Sequence, residues 1–193
     1  MLYRSLTPAI FVLACLGAGP VSANEFAGPL TDLAQSELHA LTTAPTIVEA
    51  VRAQNARNSG LTQADIDAMD QDWRAEVDNA SRPMIEAVLA TDASAWLREQ
   101  SDGMAGLITE IFVTDNLGLN VAQSGVTSDY WQGDEEKWSE TFGKPDGTIH
   151  LGEVELDEST QTYQSQISMP INDPEGGAPL GAITIGVNLE LLQ

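Results

Sequence analysis

Ile108–Trp138 reads ITEIFVTDNLGLNVAQSGVTSDYWQGDEEKW, and this stretch decides the fold. It opens on an apolar, β-branched run, Ile108–Thr114. Asp115-Asn116-Leu117-Gly118 follows as a tight turn, and a second extended run, Leu119–Ser124, comes back. Two such runs around a short Asp/Asn/Gly turn predict a β-hairpin. The chain then reads Thr127-Ser128-Asp129-Tyr130-Trp131-Gln132-Gly133-Asp134-Glu135. Adjacent aromatics among hydrogen-bonding side chains either line a pocket or clamp a loop.

Outward from the hairpin, the C-terminal side reads as strands. Glu135–Phe142 is a helical insert. Thr148–Asp157 is extended with poor alternation. Tyr163–Ile171 alternates cleanly, with Tyr163, Ser165, Ile167, Met169 and Ile171 on one face and Gln164, Gln166 and Ser168 on the other. Leu180–Leu189 sets Ile183, Ile185, Val187 and Leu189 against Ala182, Thr184, Gly186 and Asn188. Turns fall at Asp157–Thr160 and Asn172–Gly177.

The N-terminal side reads as helices. Leu30, Leu33, Ala34, Leu38 and Leu41 form one stripe. Pro45–Asn55 starts anew at a proline, capped by Thr43 or Ala44, and buries Ile47, Val48 and Val51. Thr62–Asp65 is a variant capping box ahead of Ile66, Met69, Trp73 and Val77. Met84–Leu89 is a short helix. Asp92 is expected to cap Ala93–Ser101, and Trp73 and Trp96 to sit in the core. Helices followed by antiparallel strands give an α+β class.

The hairpin with Asp115 and Gly118, Val121–Ser124, Thr127–Glu135 and Trp138 resembles the extracytoplasmic PAS-like sensor domains called Cache or PDC domains. So do Gln161–Pro170, Asp173-Pro174 and Leu180–Thr184, and Pro45–Ala53 resembles their long N-terminal helix. The resemblance implies a five-stranded antiparallel sheet with long helices on one face. It also implies a small-molecule pocket on the other face, roofed by the loop after the second strand. Residues 1–23 would be a signal peptide, 24–104 the helical region, and 105–193 the sheet with its pocket loop. In that family the domain sits outside a membrane-spanning kinase, cyclase or chemoreceptor. Here the sequence reaches Gln193 straight after the last strand, so output is expected through a membrane receptor or kinase partner. The family's amino-acid-binding members use an arginine–aromatic pattern. No arginine adjoins Tyr130 in sequence, so an α-amino-acid ligand is not expected.

The candidate ligand residues are Tyr130 and Trp131 as lid and wall, Asp129 as polar anchor, and Ser128 and Asp134 beside them. Gln164, Gln166 and Thr184 lie on the sheet face, and Asp173 is a turn residue or a further contact. Asp129 and Asp134 favour a neutral or cationic ligand, and a cation would also gain from the aromatic faces. No catalytic residue, cofactor or metal site is expected. The chain has no GxSxG, no P-loop, no GxGxxG and no HExxH, and its two histidines, His39 and His150, lie far apart. The acidic clusters Asp134–Glu136 and Asp157-Glu158 lack the EF-hand pattern. An alternative is a structural or interaction subunit of the same fold with a filled cavity, and a homodimer would use the N-terminal helices.

With 8 basic and 29 acidic residues the formal charge is −21, which argues against nucleic acid and anionic membrane surfaces. Arg4, the apolar run Leu6–Ala18 and the small residues of Val21-Ser22-Ala23 form a secretory signal, implying a periplasmic or secreted protein. The lone cysteine, Cys15, falls inside it. Val12-Leu13-Ala14-Cys15 also fits a lipoprotein box, which would leave Cys15 lipidated. The mature chain is predicted to begin at Asn24 outside the cytoplasm. N-terminal sequencing checks this, and a chain starting at a lipid-modified Cys15 or retaining Met1 would refute it.

Overall fold

The structure, a computed structural model, describes residues 25–157 and 162–192. The signal peptide, its cut after Ala23, Cys15, the turn residues 158–160 and Gln161 lie outside them. The N-terminal rod is α1 (Ala27–Leu33), a π-helical turn at Ala34–Leu38, and α2 (His39–Thr42). α3 (Pro45–Asn58) follows, with Pro45 in its first turn and Ala44 as its N-cap. Proline fits there because a first-turn N–H has no helical partner anyway. α4 (Gln63–Val77) starts on a complete capping box. The Asp65 N–H donates to the Thr62 hydroxyl at 3.3 Å, and the Thr62 N–H donates to the Asp65 carboxylate at 2.9 Å. α5 (Pro83–Leu89) and α6 (Asp92–Gly103) complete the first half. The cap of α6 differs from expectation. Thr91, not Asp92, accepts the Ser94 N–H, at 3.2 Å, and Asp92 sits in the first turn, where a carboxylate meets the positive end of the helix dipole.

The second half is an antiparallel sheet: β1 (Ile108–Thr114), β2 (Asn120–Gln123), β3 (His150–Leu151), β4 (Glu155–Asp157), β5 (Thr162–Asn172) and β6 (Pro179–Asn188). The order is β2-β1-β6-β5-β3, with β4 also on β5. α7 (Glu136–Ser139) lies between β2 and β3. The third strand of the expected five is therefore two short segments along one edge of β5. They are broken at Gly152–Val154, where the alternation of 148–157 is poorest.

The sheet's two faces divide by parity. Ile111, Ile185 and Ile167 are register partners across β1, β6 and β5, each at most 1% exposed. They join Val113, Ile183, Met169 and Val187 in one core with Leu30, Ile47, Val51 and Leu97 from the helices. Both surfaces are apolar at their own period, 3.6 against 2, and each buries its stripe on the other. Trp73 is fully buried in a second cluster with Ile66, Ile85, Leu119 and Tyr130. Trp96 is only partly buried against the main core. Tyr163, placed by alternation on the inner face, is 53% exposed at the strand's end. No helix of the described residues is long and apolar enough to cross a membrane.

Ile185→Ala removes a side chain from the centre of this packing. It should cost roughly 2–5 kcal/mol of unfolding free energy by urea denaturation. A loss below about 1 kcal/mol would contradict the facing.

Candidate functional site

The outer face of the sheet carries Phe112, Gln164, Gln166, Ser168 and Thr184, opposite in parity to the core residues. Its centre is closed: Ser168 and Thr184 share a hydrogen bond of 2.9 Å and are both buried. Toward the β3–β4 edge it opens into two adjoining cavities under the loop after β2. The inner one, about 130 Å³, is lined by Glu110, Phe112, Thr127, Ser128, Asp129 and Gln132, among others. The outer one, about 410 Å³, is lined by Asp134, Glu135, His150, Gly152, Glu153 and Glu155, among others. Lys137 and Gln166 line both. Among the described residues no group of three or more His, Cys, Asp or Glu is placed to hold a metal ion.

The roof is fastened by backbone as well as side chains. Gly118, at φ +81°, ends the β1–β2 turn against Gly133, where a Cβ would come within 2.5 Å of the Gly133 Cα. That close approach lets the Gln132 N–H donate to the Gly118 carbonyl at 2.8 Å and the Asn120 N–H to Tyr130 at 2.9 Å. Only glycine accepts both the positive φ and the contact. The Asn120 amide donates to the Thr127 hydroxyl at 2.8 Å and the Asp129 carbonyl at 2.9 Å.

Tyr130 and Trp131 hold the loop from behind. The Tyr130 ring is buried and stacked on Trp73, centroids 5.2 Å apart. Burial, and then the Asp115 charge, push its phenol up to about 12, while Arg57 and a hydrogen bond with Gln54 pull the other way. It stays neutral at any physiological pH. The Trp131 indole donates to the Leu117 carbonyl at 2.9 Å. The N–H groups of Tyr130 and Trp131 both donate to Asp70 on α4, at 2.8 and 3.0 Å. Arg74 ties the same carboxylate at 2.6 Å and reaches Asp129 at 3.3 Å. Gln132 also donates to Asp129.

The fold thus brings Ser128, Asp129, Asp134 and Gln166 around one groove. Gln164 lies one register step beyond, its side chain accepting from Thr109 at 3.1 Å, and Thr184 is sealed beneath. Asp173 is elsewhere, in the β5–β6 turn. It accepts the Glu175 N–H at 2.9 Å and pairs with Arg52 of α3. The expectation of no arginine near the loop is corrected in space: Arg74, 56 positions from Tyr130, stands beside it, occupied by Asp70 and Asp129. Sequence reasoning also missed Asp70, Glu110, Phe112 and Lys137. The i, i+4 spacing of Asp70 and Arg74 was the available signal for that pair.

No family model matches the chain, and no curated protein does. Among solved structures, those it is similar to include sensor domains of histidine kinases and ligand-binding domains of chemoreceptors. The sensor domain of the V. cholerae histidine kinase DctB shares 12% identity at a TM-score of 0.49, over 84% of this chain and 48% of that one. The ligand-binding domain of a Campylobacter jejuni chemoreceptor, in complex with L-valine, shares 13% at a TM-score of 0.39, over 81% of this chain and 64% of that one. The chain spans about half the length of the first of these.

Burial works against ionisation of Asp70, but the hydrogen bonds from Arg74, Trp131 and Tyr130 outweigh it and lower its pKa from 3.8. The stability it contributes is therefore present above pH 3.8 and is lost as pH falls through the lower folded value. Asp70→Ala leaves two loop N–H groups without their acceptor. It should cost about 1–3 kcal/mol at neutral pH by urea denaturation, and flatten the loss of stability on acidification.

Proposed function

We propose that this chain is an extracytoplasmic small-molecule sensor module whose ligand lies in the groove on the outer face of the sheet. The observation that carries the reading is the pair of cavities meeting at Lys137 and Gln166 under the loop after β2. The outer one alone, about 410 Å³, is of the size that small-molecule sites occupy. The resemblance of Ile108–Trp138 to the Cache family supports the same face. Ser128, Asp129, Asp134 and Gln166 are the proposed contacts. Gln164 flanks them, Thr184 supports the floor, and Tyr130 and Trp131 act by fixing the loop. Asp173 serves as a turn residue tied to α3.

The groove is acidic, with Glu110, Asp129, Asp134, Glu135, Glu136, Glu153 and Glu155 against Lys137 and His150, so a neutral or cationic ligand is preferred. The chain works without catalysis, after export by its leader, and signals through a membrane receptor or kinase partner. The N-terminal helices offer a surface for a second copy. A structural subunit without ligand is the second reading, favoured by the sealed Ser168–Thr184 centre of the same face.

A thermal-shift screen of carboxylates, amines, sugars and quinone-like compounds separates the two, because a ligand that binds only the native state raises the melting temperature. Gln166→Ala and Ser128→Ala should leave the melting temperature of the empty protein nearly unchanged and abolish the shift given by the best compound. An unaltered shift in both variants, or no shift by any compound, overturns the groove as the site.

A further inference from the structure

Lys137 stands between the two cavities and its side chain is mostly covered, 18% exposed. Its ammonium lies 5.5 Å from the centroid of the Phe112 ring and 2.9 Å from a Glu135 carboxylate oxygen. Phe112 is 2% exposed, yet it belongs to the lining of the inner cavity. What stands over its ring is an alkylammonium. A cation in that position is drawn by the negative face of the ring.

The charges around it make the position selective. The inner cavity is also lined by Glu110 and Asp129, and Lys137 is its only basic lining residue among those described. Asp129 is met by Arg74. Glu110 accepts from the Gln166 amide at 2.8 Å, a neutral donor. Lys137 therefore supplies the positive charge of this cavity. Its helix is fastened independently of its side chain: the Trp138 indole donates to the Asp115 carbonyl at 3.1 Å and stacks on Phe142 at 4.7 Å. A change of the lysine rotamer therefore breaks none of the contacts that Trp138 makes to hold α7.

We infer that Lys137 is a built-in occupant of an ammonium site, and that the groove's ligands are primary alkylamines whose charged nitrogen replaces Nζ over Phe112. This rests on the groove being the ligand site. When Lys137 swings outward, the inner and outer cavities join. An anion entering then meets Glu110, Asp129 and Glu135 with the cation withdrawn. A neutral molecule leaves Glu110 and Glu135 without a cation, Asp129 alone keeping Arg74. An ammonium restores the balance, and its alkyl chain runs along the path of the lysine stem.

Butylammonium chloride is the probe, with butyrate and butanol as controls of the same size, titrated by NMR into the exported protein. Lys137→Ala vacates the position without disturbing a helix, and should bind butylammonium about ten-fold more tightly than the natural chain. The controls should gain little. Phe112→Leu in the Lys137→Ala background should remove the gain. Should the alanine variant fail to fold, Lys137→Gln, which keeps the stem and loses the charge, should give the same direction. Equal butylammonium affinity with and without Lys137, or a larger gain for butyrate or butanol, overturns the inference. If a neutral compound still gives a Gln166-dependent melting shift in that case, the groove stands and only the ammonium site falls. If no compound binds either protein, both fall together.

Discussion

A buried carboxylate organises this molecule. Asp115, at the tip of the first hairpin, is fully buried. An ionised carboxylate away from water is very costly unless its oxygens are hydrogen-bonded. One oxygen accepts the N–H groups of Leu117 and Leu119, at 2.9 and 3.0 Å. The other accepts the amides of Gln54 at 3.0 Å and Asn58 at 2.8 Å, both from α3. The same acid therefore shapes its own turn and docks the long helix. Its backbone takes part as well: its N–H donates to Leu119 at 2.9 Å, and its carbonyl accepts the Trp138 indole. With the turn held, Gly118 meets Gly133, and the loop that roofs the groove falls into place.

Helices cover one face of the sheet almost completely, and the other face is covered only in part. On the first, branched aliphatic side chains interlock, and the polar groups buried at its edges, Asp115 with Gln54 and Ser165, are each hydrogen-bonded. On the second, Ser168, Thr184 and Phe112 are buried under the loop and α7, while Gln166 lies half-buried where the edge strand breaks. That break between β3 and β4 sets the groove beside it. A continuous third strand would carry its side chains across the opening.

Local periodicity made much of this legible. β1 spans Ile108–Thr114, the run read from its β-branched residues; β5 extends one residue beyond each end of its alternating pattern, and β6 starts and ends one residue before the run read for it. Helix starts at Pro45 and Thr62 follow from capping chemistry that a sequence displays openly. The groove was legible only in outline. Ser128, Asp129 and Asp134 are neighbours in sequence, and Gln166 follows from parity. The partners of Asp115 were not, because Gln54 and Asn58 continue the spacing of Ile47 and Val51, and an amide on an apolar stripe gives no sign of what it faces. Nor was the inward turn of Tyr130, which depends on Trp73 arriving from 57 positions away.

α3 touches more than the first hairpin. Arg52 pairs with Asp173 and Glu175 at the tip of the β5–β6 turn. Asn55 donates to the Leu180 carbonyl at 2.9 Å and accepts the Asn116 N–H at 3.0 Å, so one side chain spans both hairpins. These contacts, from Arg52 to Asn58, occupy roughly 9 Å of a single helix. Two loops that would otherwise drift separately are bolted to one stiff beam. Neither tip can shift along α3 without straining the contacts of the other, so the two turns keep a fixed separation set by the rise of one helix.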